Sequence, residues 1–165
     1  MRGLALDLGG ITGFAADDPD GSTVPLAGIW DCTHEGQKLG PAYVRFEGEL
    51  LTAIRRLKPD YLCYEAAITP QWGKTNMAAQ RKLLGLGAIA ELTAARLGLH
   101  CYDVHLGSAR RYFTGNARSQ KSDVWHQCKL HGWPDFDLNA CDALCVLAYA
   151  RACFGMHQIL GKTFA

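Results

Sequence analysis

Three acidic residues of this sequence lie where carboxylates could hold a metal ion. Asp7 follows the apolar run Leu4-Ala5-Leu6 and precedes Gly9-Gly10, so we expect it to end a buried strand beside a glycine turn. At such a turn a metal ion and a phosphate could both approach the carboxylate. Glu65 ends the predicted strand 60–65, which puts it at the carboxyl edge of a sheet, as Asp7 is.

The third acid, Asp142, belongs to a helix predicted over residues 137–154. Asn139 lies three residues before it, so both side chains emerge on one helix face. The pattern further predicts that Asn139 is the N-cap and that Asp142 lies in the first turn, where a carboxylate suits the positive end of the helix dipole. Oxygen ligands that converge from separate elements are what hard cations such as Mg²⁺ prefer.

The elements that must position these residues alternate between strands and helices. Apolar periodicity and turn residues predict a three-stranded antiparallel meander over residues 4–32, strands at 60–65 and 99–105, and helices over 40–58, 76–97, 108–113, 119–131 and 137–154. This order predicts an α/β chain that forms a single domain over residues 1–165. Gly85 and Gly87 interrupt the helix 76–97, and we expect them to allow close packing against another backbone, either the sheet or a second copy of the chain.

The composition excludes some classes of protein. Of the 165 residues 48% are hydrophobic, which suffices for a core, but no stretch is long and apolar enough to span a membrane. The N-terminus enters a strand without the pattern of a signal peptide, so a cytoplasmic location is expected. The seven cysteines include no Cys-x-x-Cys pair, and we expect small buried hydrophobes in a reducing compartment instead of a zinc site.

A formal net charge of +1 hides a separation of charges along the chain. Basic residues cluster at Arg55-Arg56-Lys58, at Arg81-Lys82, at Arg110-Arg111 and from Arg118 to Lys121. Nucleic acid responds to a local basic surface and not to the total charge, so the nearly neutral sum does not exclude a polyanionic partner.

Four segments, in their order along the chain, resemble the motifs of the RuvC-type Holliday junction resolvases of the ribonuclease H-like superfamily, particularly their compact phage-like members. Asp7–Phe14 is similar to the family's opening Asp-x-Gly-x-x-Thr-Gly signature, and Tyr64-Glu65 is similar to its second acidic motif. Arg110–Gly115 followed by Lys121 resembles its basic region, and Asn139–Leu144 resembles its closing motif. The resemblance spans nearly the whole chain.

The resemblance implies a ribonuclease H-like α/β fold, with a mixed five-stranded sheet of three antiparallel strands and then two parallel ones, flanked by helices. It implies a metal-dependent endonuclease that hydrolyses phosphodiester bonds in branched DNA, with resolution of four-way (Holliday) junctions by paired symmetric nicks as the first expectation. It also implies a homodimer, for which the helix 76–97 is the expected interface, in a bacterial or phage-infected cell. Neither a membrane nor a nucleotide cofactor is expected.

Two magnesium ions about 3.5–4 Å apart can acidify the attacking water and neutralise the charge that develops on the leaving oxygen. In this chain Asp7 would bridge both ions, and Glu65 would bind one of them. Asp142, helped by Asn139, would bind the other, and Mn²⁺ is expected to substitute for Mg²⁺. By the resemblance, Lys121 would hold the scissile phosphate or help the attacking water.

The expected DNA-binding residues are Trp72, Lys74, Arg110, Arg111, Arg118 and Lys121. Arg110 would contact a phosphate next to the scissile one. Trp72 follows the second acidic motif, where relatives carry an aromatic residue, and it could stack on an unpaired base at the branch point for about 1–3 kcal/mol. Packing of Trp72 beneath its own loop is an equal alternative.

Asn139 departs from the family pattern, which often has an aspartate at that position. An amide oxygen can still bind magnesium but adds no charge, and Asp137 could supply the missing one. Two alternatives stay open: a phage-like nuclease of relaxed specificity for flaps and forks, and a junction-binding module without turnover, which Asn139 motivates. An actin-like sugar kinase or ATPase shares the Asp-x-Gly opening but needs two such domains.

Overall fold

The computed structural model describes residues 1–33, 38–67 and 76–160, with side chains described as far as Cys153 in the last helix. Five strands and five helices lie in these ranges: β1 (Gly3–Asp7), β2 (Ile11–Ala16), β3 (Leu26–Asp31), α1 (Leu39–Leu57), β4 (Tyr61–Glu65), α2 (Met77–Arg96), β5 (His100–Val104), α3 (Leu106–Thr114), α4 (Lys121–Leu130) and α5 (Leu138–Leu160). The order of elements is the predicted one. The main difference is that α5 continues to Leu160, beyond its expected end at residue 154.

The strands form one mixed sheet in the order β3-β2-β1-β4-β5. The first three strands are antiparallel, and β4 and β5 extend the sheet in parallel with β1. The predicted sheet of three antiparallel and two parallel strands is therefore confirmed. Because β1 is central and β4 is its parallel neighbour, the carboxyl ends of these two strands meet at the same edge.

Side chains along each strand alternate between the two faces of the sheet, and each face packs against one layer of helices. Leu4 and Leu6 of β1 pack with α1 and α2, in a core that includes Phe46. Ala5 faces the other way and packs with α3, α4 and α5. Since Asp7 is two residues beyond Ala5, it lies on the α5 face of the sheet.

The two glycines of α2 make room for aromatic rings of the same chain. A Cβ at Gly85 would lie 2.1 Å from the Tyr43 hydroxyl oxygen of α1, and one at Gly87 would lie 3.2 Å from Cε2 of Tyr64 in β4. The sheet is thus one of the packing partners, as expected. The expectation that backbone would fill the space was wrong, because side-chain rings fill it.

All seven cysteines are free thiols, and five of them are buried: Cys32, Cys63, Cys128, Cys141 and Cys145. Burial agrees with their predicted role as small hydrophobic residues. In the ranges that the structure describes, the helices lack the combination of length and apolar character needed to cross a bilayer.

Candidate active site

Two of the predicted acids lie side by side at the carboxyl edge of the sheet. In the parallel pairing of β1 with β4, Leu6 is opposite Tyr64, so the next residues, Asp7 and Glu65, are neighbours. Tyr61 and Cys63 of β4 face α5, and side chains alternate between the two faces of a strand, so Glu65 also faces α5. A hydrogen bond joins the two carboxyl groups.

The turn that follows Asp7 is held by Thr12. Its fully buried hydroxyl donates to the Gly9 carbonyl at 2.9 Å and accepts the Gly9 N–H at 3.3 Å. The threonine belongs to the opening motif, but the sequence alone had indicated no task for it. Its hydrogen bonds fix the backbone that ends β1 and so fix the direction of the Asp7 side chain.

Helix α5 reaches this edge because its first turn lies against β2. A Cβ built on Gly13 would be 2.0 Å from the carbonyl oxygen of Asn139, so only glycine permits the contact. Gly13 is paired with Asp7 across β1 and β2. The close approach of α5 at Gly13 therefore brings the start of the helix next to the Asp7 carboxylate.

Asp137 caps α5, and Asn139 does not. The helix begins at Leu138, and Oδ1 of Asp137 accepts the Asn139 N–H at 2.8 Å. The predictions that Asn139 is the N-cap and that Asp142 lies in the first turn were wrong, since Asp142 is one turn further along. This correction matters for the site, because it leaves the Asn139 side-chain amide available to the residues around Asp7.

The Lys121 ammonium lies where the oxygens of three predicted metal ligands converge. Its Nζ is 3.1 Å from Oδ2 of Asp7 and 3.1 Å from Oδ2 of Asp142. It also donates to Oδ1 of Asn139 at 2.7 Å. These contacts join residues up to 114 positions apart in the sequence, and they gather the site around a positive charge that the chain itself supplies.

Arg110 is turned into the protein. Its Nη2 lies 3.2 Å from both carboxylate oxygens of Asp142, and its Nη1 donates to the Ser119 carbonyl at 2.7 Å. The Arg110 side chain is 14% exposed and that of Asp142 only 1%. Arg110 therefore ties α3 to α5 and to the segment that leads into Lys121. The sequence predicted a phosphate contact for Arg110 and had no signal for this ion pair.

Burial is the main cause that raises the pKa of both acids in the hydrogen-bonded pair. The pKa of Glu65 is raised to about 8, first by burial and then by the charge of Asp7. Burial also raises the pKa of Asp7, although the Lys121 ammonium works against it. At neutral pH the proton of the pair therefore resides on Glu65, which donates it to the Asp7 carboxylate.

The pKa of Lys121 moves upward on balance. Burial lowers it, but the carboxylates of Asp7 and Asp142 together outweigh that effect. The lysine is therefore a full positive charge in the metal-free site.

The oxygen atoms of this site are of the kind that a hard divalent cation prefers as ligands. Carboxylate and amide oxygens converge from β1, β4 and α5, and an ammonium ion already lies among three of them. As they stand, no three acidic, His or Cys side chains of the described residues are grouped closely enough to hold a metal ion. Binding would require Lys121, whose side chain is 42% exposed, to swing outward and Glu65 to release its proton.

The structure thus brings six of the predicted residues together: Asp7, Glu65, Asn139, Asp142 and Lys121, with Arg110 against Asp142. Arg111 and Arg118 are exposed, so both are accessible to a large ligand. Trp72 and Lys74 lie outside the described residues.

The sheet order, the carboxyl-edge site and the helical layers define a ribonuclease H-like fold. Solved structures that share it include RuvC of Thermus thermophilus, with a TM-score of 0.68 and 15% identity over 93% of this chain and 97% of that one. The same protein in complex with a Holliday junction substrate gives a TM-score of 0.73, 15% identity and 94% coverage of each chain. The yeast mitochondrial Holliday junction resolvase Ydc2 gives 0.62, 11% identity, and coverage of 89% and 76%.

The RuvC-type resemblance seen in the motifs is therefore confirmed at the level of structure. No family model and no curated protein sequence matches the chain. Identities of 11–15% establish the shared fold, and the activity must be argued from the residues themselves.

Replacing Glu65 by Gln is expected to stabilise the metal-free protein at high pH. The folded-state pKa of about 8 lies above the value of about 4.3 for an unfolded chain, so the wild type loses stability as pH rises between those values. Gln cannot ionise, yet it can still donate to Asp7. In EDTA the Tm of Glu65→Gln should match that of the wild type near pH 4 and exceed it near pH 9.

Glu49→Gln, at an exposed position on α1, is the matched control. The difference between its Tm and that of the wild type should be the same at every pH. A Glu65→Gln variant whose Tm difference also stays constant from pH 4 to pH 9 would contradict the raised pKa.

Proposed function

We propose that this protein is a magnesium-dependent endonuclease that resolves four-way DNA junctions as a homodimer. The observation that carries the proposal is the gathering of Asp7, Asn139 and Asp142 around Lys121, with Glu65 beside them, at the carboxyl edge of a ribonuclease H-like sheet. The likeness to a RuvC structure that holds a Holliday junction substrate supports the choice of substrate.

In this proposal Asp7, Glu65 and Asp142 bind Mg²⁺, or Mn²⁺ in its place, and Asn139 adds a neutral oxygen ligand. The metal would supply an acidified water and neutralise the charge that develops on the leaving oxygen. The Lys121 ammonium is at the end of a long, flexible and partly exposed side chain, so it can turn from the carboxylates to the scissile phosphate.

The DNA would extend beyond these residues over the exposed cations. Arg111 lies in the last turn of α3, and Arg118 lies in the segment between α3 and α4 that leads to Lys121. Phosphate contacts from such residues position a duplex without reading its sequence. Trp72 and Lys74 stay proposed DNA contacts, since their sequence position follows Glu65.

The test is a gel assay on a labelled synthetic four-way junction beside linear duplex, flap and single strand of matched length, each with Mg²⁺ and with EDTA. We expect symmetric nicks near the branch point of the junction in Mg²⁺ and none in EDTA. Equal cutting of every substrate would contradict junction selectivity, and cutting that survives EDTA would contradict the metal requirement.

Two alternatives keep the fold and change the activity. A nuclease of relaxed specificity would cut flaps and forks as well as junctions in the same assay. A binding module without turnover is favoured by two features: Asn139 brings no charge, and the Lys121 ammonium already neutralises the carboxylates. That module would bind the junction with and without metal and would cut nothing.

The homodimer part of the proposal rests on an exposed apolar face of α2. Met77, Leu84 and Leu92 are 68%, 55% and 49% exposed, and their spacing places them on one side of the helix with Ala88. The glycines of α2 no longer support an interface, since rings of the same chain fill their space. The proposed interface therefore rests on these exposed apolar side chains, which lie around the exposed Arg81.

Replacing Leu84 by Glu is expected to convert the dimer into a monomer, because the interface would then bury an unpaired carboxylate from each copy. Size-exclusion chromatography with light scattering should show the mass halve. Leu130→Glu, at a more exposed position on α4, is the control and should leave the dimer intact. A wild-type monomer, or a dimer that persists in Leu84→Glu, would count against this interface.

A further inference from the structure

We propose that Lys82 of α2 is a further phosphate-binding residue, beside the glycine turn that follows Asp7. This inference rests on the proposed function, because it needs a DNA strand at the carboxylates. Its starting point is the Gly9-Gly10 turn: a Cβ built on Gly10 would lie only 2.8 Å from Nζ of Lys82. The bare backbone of Gly10 thus leaves room for the ammonium group directly above the turn.

The Gly10 turn that the Lys82 ammonium approaches is close to the reacting centre. Gly10 is three residues after Asp7, so their Cα atoms are at most about 11 Å apart. Phosphates along one strand of a duplex follow one another at about 3.4 Å of rise, so a strand held at Asp7 would carry its next phosphates past the turn. Lys82 is therefore within reach of a phosphate that neighbours the scissile one.

The other cations near the centre have different tasks. Arg110 is held by Asp142 and by the Ser119 carbonyl, and Lys121 is held by the acids of the site. Lys82, in contrast, forms no ion pair within 4 Å with a carboxylate of the described residues. Its charge can therefore be offered to a ligand.

Lys82 makes a small contribution that lowers the pKa of Asp31. The Thr33 hydroxyl and N–H are the main causes that lower the pKa of Asp31, and Arg45 and Lys82 add smaller effects. Asp31 is thus already satisfied by Thr33, and it does not hold Lys82 in place. The Arg45 guanidinium donates to the carbonyls of Asp31 and Thr33, and these hydrogen bonds hold the backbone at the end of β3 in place.

The test measures binding of a labelled four-way junction by fluorescence anisotropy in EDTA, where no cleavage occurs, at several salt concentrations. Lys82→Gln is expected to weaken binding by about threefold to tenfold at 0.1 M salt. It should also reduce the slope of log K against log salt by about 0.9 for each phosphate that Lys82 neutralises in the wild type. Lys82→Arg should restore both values.

Lys58→Gln is the matched control, because Lys58 lies beyond the end of α1, near the amino end of β1 and far from the site. It should leave both the affinity and the slope unchanged. Wild-type affinity and slope in Lys82→Gln, with tight binding by the wild type, would overturn the Lys82 assignment alone. Failure of the wild type to bind the junction at all would overturn it together with the proposed function.

Discussion

The Asp7→Asn variant is expected to bind a four-way junction about as tightly as the wild type and to cut it at least about 10²–10³-fold more slowly, the loss typical of removing one preorganised electrostatic group. Asp7 is the acid at the centre of the site, hydrogen-bonded to Glu65 and 3.1 Å from the Lys121 ammonium. Asn keeps the shape and one oxygen of Asp7 but removes the charge that two metal ions would share.

Stability should not confound this experiment. Burial raises the pKa of Asp7, so keeping its carboxylate ionised costs the folded protein free energy, and Asn removes that cost. The cleavage rate is measured in Mg²⁺ on the labelled junction, and binding is measured in EDTA. Asp20→Asn, in the exposed turn after β2, is the matched control and should behave as the wild type in both assays. Normal cutting by Asp7→Asn would refute the metal-site assignment.

The acids could be found from the sequence because their positions follow from strand geometry. Asp7 and Glu65 each end an apolar strand, and the crossover through α1 from β3 returns β4 parallel to β1, so the ends of these two strands meet. Asn139 and Asp142 share a helix face by spacing alone. The motif order then indicated that this face would meet the same edge, and Gly13 is the residue that lets it do so.

The cations could not be placed from the sequence, because their partners are remote and depend on burial. Nothing in the segment around Arg110 reveals that its guanidinium turns inward to Asp142, 32 residues away. A surface arginine and a buried one have the same local pattern. The prediction of the N-cap of α5 failed for a local reason. Aspartate and asparagine are both good N-caps, and only the position at which the helical backbone begins, Leu138, decides between Asp137 and Asn139.

Replacing Arg110 by Met is expected to destabilise the metal-free protein by about 3 kcal/mol, the low end of the range for breaking a buried ion pair. The variant leaves the Asp142 carboxylate, 1% exposed, without the Nη2 group that lies against both of its oxygens. Lys121 still pairs with one of those oxygens, and this is why the low end of the range applies. Urea unfolding in EDTA measures the destabilisation, and the exposed neighbour Arg111→Met should change stability by no more than about 0.5 kcal/mol.

The double variant Arg110→Met with Asp142→Leu separates the broken ion pair from a general loss of packing. If the destabilisation comes from a stranded carboxylate, removing that carboxylate too should restore most of the free energy of unfolding. Arg110→Lys is expected to restore little, because one ammonium cannot reach Asp142 and the Ser119 carbonyl together as the two guanidinium nitrogens do. An Arg110→Met protein as stable as Arg111→Met would show that the ion pair does not hold Asp142 in the fold. A double variant no more stable than Arg110→Met would instead assign the destabilisation to the packing of α3 against α5.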